Sequence, residues 1–159
     1  MIEAAALVPA EPQEVFAFLS DLGNHWRLAS RFVEVVELES ARNGDSADRG
    51  VVRLRGPLGL HRTARTTVKA ARAPRLIIGT AEIAGGTRAR VSWTLGQRMG
   101  QTRVRLAAEV ENARGLDRLL LALGARRWLE RRFRETLAAL AAELQAREGE
   151  PRLAVAAES

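Results

Sequence analysis

His25 and His61 are the only histidines in the chain, which has neither cysteine nor tyrosine. Without cysteine there is no disulfide, thiolate metal site, iron–sulfur cluster or cysteine nucleophile. The two histidines stand far apart, outside any HxH or HExxH spacing, so no metal centre is expected. Ser20, Asp21 and Ser30 surround His25, but the Gly-x-Ser-x-Gly elbow that would expose a serine nucleophile is missing. Walker A and Gly-x-Gly-x-x-Gly patterns are missing as well, so no phosphate cradle and no cofactor are expected. His25, between Asn24 and Trp26, is the remaining catalytic candidate. A neutral imidazole both donates and accepts, which suits a polar anchor or a proton-transfer group. The preferred reading is plainer, a half-exposed loop histidine. His61 shares its phase with Thr63, Arg65 and Lys69 and is expected to face water.

The carboxylates fit a solvated surface better than acid–base catalysis. Glu109 and Glu111 fall on one polar phase, and Glu34, Glu37 and Glu39 lie along a strand expected at an edge. The net charge of +6 and pI of about 11.3 raise the question of an anionic partner. However, 24 of the 25 cations are arginine, spread over strand and helix patterns alike, and arginine raises a pI by itself. No basic arm or stripe stands out, so nucleic acid is not expected. Loose contact with an anionic membrane surface is kept as an option. The start, MIEAAALVPAEPQEV, has no basic region before its short apolar run, so it does not read as a secretory signal and a cytoplasmic location is expected.

Positioning any of these groups falls to a single domain: 159 residues, 47% apolar, suffice for one core. Residues 2–9 alternate weakly up to Pro9 and suit an edge strand. Glu11-Pro12-Gln13-Glu14 opens a helix carrying Val15, Phe16, Phe18 and Leu19. Its acidic first turn and early proline both suit a helix N-terminus. A second short helix or turn spans Asp21 to Arg31. From residue 33 the period becomes two, predicting strands over 33–41, 50–56, 60–71, 75–83, 87–98 and 101–111, separated by turns such as Asn43-Gly44-Asp45, Gly85-Gly86 and Met99-Gly100. Alternation such as Ala89, Val91, Trp93 and Leu95 against Arg88, Arg90, Ser92 and Thr94 indicates an antiparallel sheet wet on one face. One long helix over 114–147 would cover the other face, with Leu129, Phe133, Leu137, Leu140 and Leu144 as its stripe. Domain residues 1–147 would then be followed by an aperiodic, mobile tail at 148–159.

The expected architecture is therefore α+β: a curved seven-stranded antiparallel sheet wrapped around a long C-terminal helix, with two short helices after the first strand. One helix cannot fill the whole concavity of such a sheet. Either bulky side chains plug the remainder, or an apolar cavity is left for a ligand.

Several segments resemble the SRPBCC superfamily, also called START-like or Bet v 1-like, and within it the bacterial polyketide cyclase/dehydrase and lipid-transport group. They are Pro12-Gln13-Glu14-Val15-Phe16-Ala17-Phe18-Leu19-Ser20-Asp21, Trp26 with Phe32-Val33-Glu34-Val35-Val36, Gly100-Gln101-Thr102-Arg103-Val104, and Arg132-Phe133-Arg134-Glu135-Thr136-Leu137 with Ala138-Ala139-Leu140. Together with the order of the elements, the resemblance covers about residues 2–147. The stretch from Gly56 through Thr94 is also similar to the branch associated with the accessory G subunit of carbon monoxide dehydrogenase. The resemblance implies a helix-grip fold and a deep cavity for a lipid, polyketide, quinone or hormone-like molecule. It does not imply one chemistry, since carriers, cyclases, hydrolases and oxygenase components share that fold.

On this reading the chain is a carrier or sensor of a small hydrophobic molecule, with a cyclase/dehydrase-like enzyme as the alternative. The expected lining is Leu54, Thr66, Val68, Ile77, Trp93, Leu95 and Leu106, facing Leu129 and Phe133, with Trp26 and Phe32 flanking the mouth. Thr66 shares a face with Ala64 and Val68, either to turn its hydroxyl inward or simply as a strand former. Arg62 lies on that face near the rim. Arg126 projects near the Leu129–Phe133 stripe, where it either snorkels to the rim or meets a ligand oxygen. The run Leu116–Leu123 is apolar on too many sides for one buried face, and suits a homodimer contact, a membrane contact or burial under the sheet edge.

Overall fold

The computed structural model describes residues 1–29, 33–39, 48–55, 61–122 and 124–158. Its elements are β1 (Ile2–Val8), α1 (Pro12–Leu19), α2 (Leu22–Leu28), β2 (Val33–Glu39), β3 (Arg49–Arg55), β4 (His61–Arg72), β5 (Leu76–Ile83), β6 (Thr87–Arg98), β7 (Gln101–Asn112), α3 (Leu116–Ala122) and α4 (Ala125–Glu158). All seven strands join one antiparallel sheet in the order β1-β7-β6-β5-β4-β3-β2. This is the helix-grip arrangement. The chain closes back on itself, because β1 lies at one edge against β7 and β2 begins the opposite edge.

The local reasons are visible in the residues. In α1, Pro12 sits in the first turn, Glu14 places its charge there too, and Val15, Phe18 and Leu19 form a buried i, i+3, i+4 stripe. The Asp21 carboxylate caps α2 by accepting from the Gly23 N–H at 3.0 Å. The β6–β7 hairpin turns on two residues, Met99 and Gly100, both at positive φ (49° and 79°), as a tight hairpin with matching strand twist demands. Bulges interrupt the ladders at Val35/Glu37, Val68/Ala70 and Arg88/Ala89, where the extra residue bends the strand.

The segment 114–147 differs from the single helix expected. Gly124, at φ 106°, breaks it into α3 and α4, in a backbone conformation that glycine alone adopts without strain. At its other end α4 runs as helical backbone to Glu158.

Two separate cores follow. The larger packs Leu137, Leu140 and Leu144 of α4 with Val15, Phe18 and Leu19 of α1 and with Trp93, Leu95, Val104 and Leu106 of the sheet. The smaller joins Ala29, Val33, Val52 and Ala64, with Trp26, Leu54 and Ile83 against them. Thr102 ties the larger one to the loop before α1, its buried hydroxyl donating to the Ala10 carbonyl at 2.7 Å. Between the two cores, under the first turns of α4, the apolar faces do not close.

Candidate functional site

The gap is a cavity of about 270 Å³ between the sheet and the N-terminal part of α4. Its floor comes from inward positions of the strands, including Val52 and Leu54 of β3, Ala89, Val91 and Trp93 of β6, and Leu106 and Ala108 of β7. Its roof is Trp128, Leu129 and Phe133 of α4 with Leu120 and Leu121 of α3, and Trp26 and Ala29 of α2 form a side wall. Strand alternation creates such a floor by sending every second side chain to one face. Small residues on β6 and β7, Ala89 and Ala108, leave that face open where larger ones would fill it. A second space of about 70 Å³ adjoins it beyond His25 and Trp93, bounded by Val68 and Ile77.

Titratable groups enter this surface at two places. At the α3 end, Asp117 is buried and accepts from Arg62 Nη2 at 2.7 Å and from the Thr87 hydroxyl at 2.6 Å. Arg62 Nη2 also donates to the Ala84 carbonyl at 2.7 Å, and the Arg114 N–H donates to Thr87 Oγ1 at 3.2 Å. The cluster thereby pins α3 to β4 and β6, and the two charges cancel where they meet.

At the α2 end, His25 is 8% exposed, with its ring tilted against Trp93 at a centroid separation of 5.2 Å. Its Nε2 lies 2.6 Å from the Leu19 carbonyl oxygen. A carbonyl only accepts, so Nε2 carries the proton in the neutral ring. Burial pushes the imidazole below its ordinary value of 6.5, opposed in part by the Leu19 hydrogen bond and the Asp21 charge. The unfolded chain therefore binds this proton more readily than the folded one. Stability is full above pH 6.5 and is expected to fall as pH drops through 6.5, by up to about 1.4 kcal/mol per pH unit from this group. Urea unfolding at pH 7.5 and 5.5 checks this: the loss should shrink in His25→Phe, and an equal loss in both proteins would place the acid sensitivity elsewhere.

The structure brings Trp26, Leu54, Arg62, Thr66, Trp93, Leu106, Leu129 and Phe133 to the main cavity, and Val68 and Ile77 to the adjoining space. The Thr66 hydroxyl points inward but spends its proton on the Gly50 carbonyl at 3.2 Å. Three expectations change. His25 is a buried helix residue, not a half-exposed loop one. Leu95 packs inside the larger core rather than over the cavity. Arg126, exposed in the first turn of α4, donates to the Met1 carbonyl at 2.6 Å and pairs with Glu130, so it turns away from the roof. Phe32 lies outside the described residues. His61 is exposed, as expected.

Sequence reasoning missed Asp117, Thr87, Leu120, Leu121 and Trp128. Asp117 is the lone acid inside the apolar run 116–123, a signal that could have been found, because a carboxylate there needs a buried partner. The same run is used inward at Leu120 and Leu121 while Leu119 is 55% exposed. The side chains of Leu116 and Leu123 are outside the described set.

An open sheet gripping a helix over an apolar hollow defines a class of protein, the helix-grip cavity proteins. Within that class, the family model described as polyketide cyclase / dehydrase and lipid transport matches residues 2–145, and the chain belongs to that family. Among solved structures, TTHA0849 of Thermus thermophilus is similar with a TM-score of 0.67 at 19% identity, covering 91% of this chain and 97% of that one. Ms6760 of Mycobacterium smegmatis is similar with a TM-score of 0.64 at 15% identity, over 89% and 88%. DynU16, from the dynemicin biosynthetic locus, matches with a TM-score of 0.53 at 17% identity, over 91% of this chain and 46% of its own length. At such identities these likenesses establish the fold. No curated protein matches. Among the described residues no helix is long and apolar enough to cross a membrane.

Proposed function

We propose that this chain binds or carries a small hydrophobic molecule, of lipid, polyketide or quinone-like type, in the cavity between its sheet and α4. The observation that supports this best is the hollow itself: a space of about 270 Å³ walled almost entirely by carbon and left unfilled by α4. Apolar burial drives binding there, at roughly 25 cal/mol per Å² removed from water. The volume lies just under the roughly 300–1,000 Å³ of common ligand pockets, which favours a fused-ring or single-chain molecule over a two-chain lipid. Exposed Leu119 beside the cavity roof offers a point of peripheral contact with an anionic membrane or a second copy, from which such a molecule would be collected.

The test uses the delipidated protein and N-phenyl-1-naphthylamine, a neutral lipophilic fluorophore. Saturable, blue-shifted emission at one site per chain is expected, and Ala108→Phe should suppress it by filling the floor. Undiminished binding in that variant would reject this cavity as the site. A cyclase/dehydrase-like enzyme is the second reading, favoured by one observation, a buried imidazole kept neutral in the cavity wall. Ring closure or water loss from a polyketide-like substrate would distinguish it from a carrier.

A further inference from the structure

The polar complement of this cavity carries a more specific reading of its occupant, one that rests on the proposed binding site. With the His25 Nε2 proton committed to Leu19 O, the other ring nitrogen, Nδ1, holds an in-plane lone pair and can only accept. No described group donates to it. The side-chain atoms that are both closed off from open space and without a partner are, among the described residues, Trp26 Nε1, Arg62 Nε and Arg132 Nε. His25 lines the cavity and its small annex, and with Nε2 committed to Leu19, Nδ1 is the ring nitrogen left to meet a ligand there. The Trp93 ring, 5.2 Å away, holds the imidazole against rotation.

Of the remaining polar lining, Trp26 Nε1 and Arg62 Nε have no partner but are closed off from open space, while the carboxylate and the hydroxyls are satisfied. Asp117 accepts from Arg62 and Thr87, and the Thr66 and Thr136 hydroxyls donate to the backbone oxygens of Gly50 and Arg132. With the Arg62 charge cancelled by Asp117, nothing in the wall calls for an anionic headgroup.

We infer that His25 Nδ1 is the specificity-determining acceptor of this site, and that the ligand is a neutral lipophile bearing a hydroxyl, such as a phenol, an enol or an alcohol, which donates to it. A site that offers an unpaired acceptor discriminates by leaving that acceptor desolvated and unbonded when the hydroxyl is missing.

Three probes of nearly equal shape test this at pH 7.5 by quenching of tryptophan fluorescence: 2-naphthol, 2-methoxynaphthalene and 2-naphthoate. Wild-type protein should bind the naphthol about tenfold more tightly than the ether, the difference one hydrogen bond supplies, and more tightly than the carboxylate. His25→Phe should erase the naphthol preference while still binding the ether. His25→Asn, which restores an acceptor near Nδ1, should keep part of the preference. Equal affinity for naphthol and ether in the wild-type protein would overturn the role of His25 and leave the cavity standing, a comparison that needs no variant to fold. Tightest binding of the naphthoate would overturn the neutral-ligand assignment. If none of the three binds, the cavity reading fails, and this one with it.

Discussion

Phe133→Asp is expected to weaken binding of N-phenyl-1-naphthylamine by at least about a hundredfold. Phe133 forms the roof of the cavity opposite Trp93 and is only partly drawn into the larger core. A phenylalanine side chain offers roughly 150–250 Å² of contact surface. If about 80–100 Å² of that meets the ligand, its loss removes about 2–2.5 kcal/mol at 25 cal/mol per Å². The carboxylate adds a penalty, since an apolar ligand seated against it strips its water. Together these exceed the roughly 2.8 kcal/mol of a hundredfold change. Phe133→Leu keeps an apolar roof and should stay within about tenfold of wild type. Fluorescence titration of both variants, with circular dichroism to confirm folding, checks the pair. An affinity for Phe133→Asp within threefold of wild type would place the ligand elsewhere.

Asp117→Leu should be among the most destabilising single changes at the cavity, by about 2–3 kcal/mol in urea unfolding. Removing one partner of a buried ion pair costs roughly 3–5 kcal/mol because the other charge is left desolvated. The lower figure applies here since the Arg62 side chain keeps 25% of its exposure. Thr87 loses its acceptor in the same step. The double variant Arg62→Met with Asp117→Leu should recover most of the loss, because an apolar pair of similar volume replaces the ionic one. If the double variant were as unstable as the sum of the two single changes, the pair would not be acting as a unit.

Much of the scaffold was legible in the sequence because it rests on period-two alternation and turn chemistry, both local. Strand limits at 87–98 and 101–111 came within a residue of β6 and β7. Alternation also told which side chains face inward. It did not tell how far along the strands the helix would lie, and that decides the cavity. Leu95 and Ala89 share one face of β6, yet the first is sealed under α4's leucines while the second borders open space. His25 was misjudged for a similar reason. The span Asp21 to Arg31 read as a short helix or turn without telling which side of it packs, and Asp21 caps a helix whose next turn carries the imidazole to the Leu19 carbonyl. Arg126 failed because projection around an ideal wheel ignores helix ends. One residue into α4 the side chain has the Met1 carbonyl, just ahead of β1, within reach, and it turns there.

The two halves of α4 answer to different demands. Residues 137–144 interlock with α1 and the sheet, so drift at those positions is checked by whether the chain folds at all. Ala125, Trp128, Leu129 and Phe133 border the hollow instead, and exchanges among them redraw its contour while the anchor holds. A lineage can thus retune what it admits turn by turn, on a frame that never has to be rebuilt.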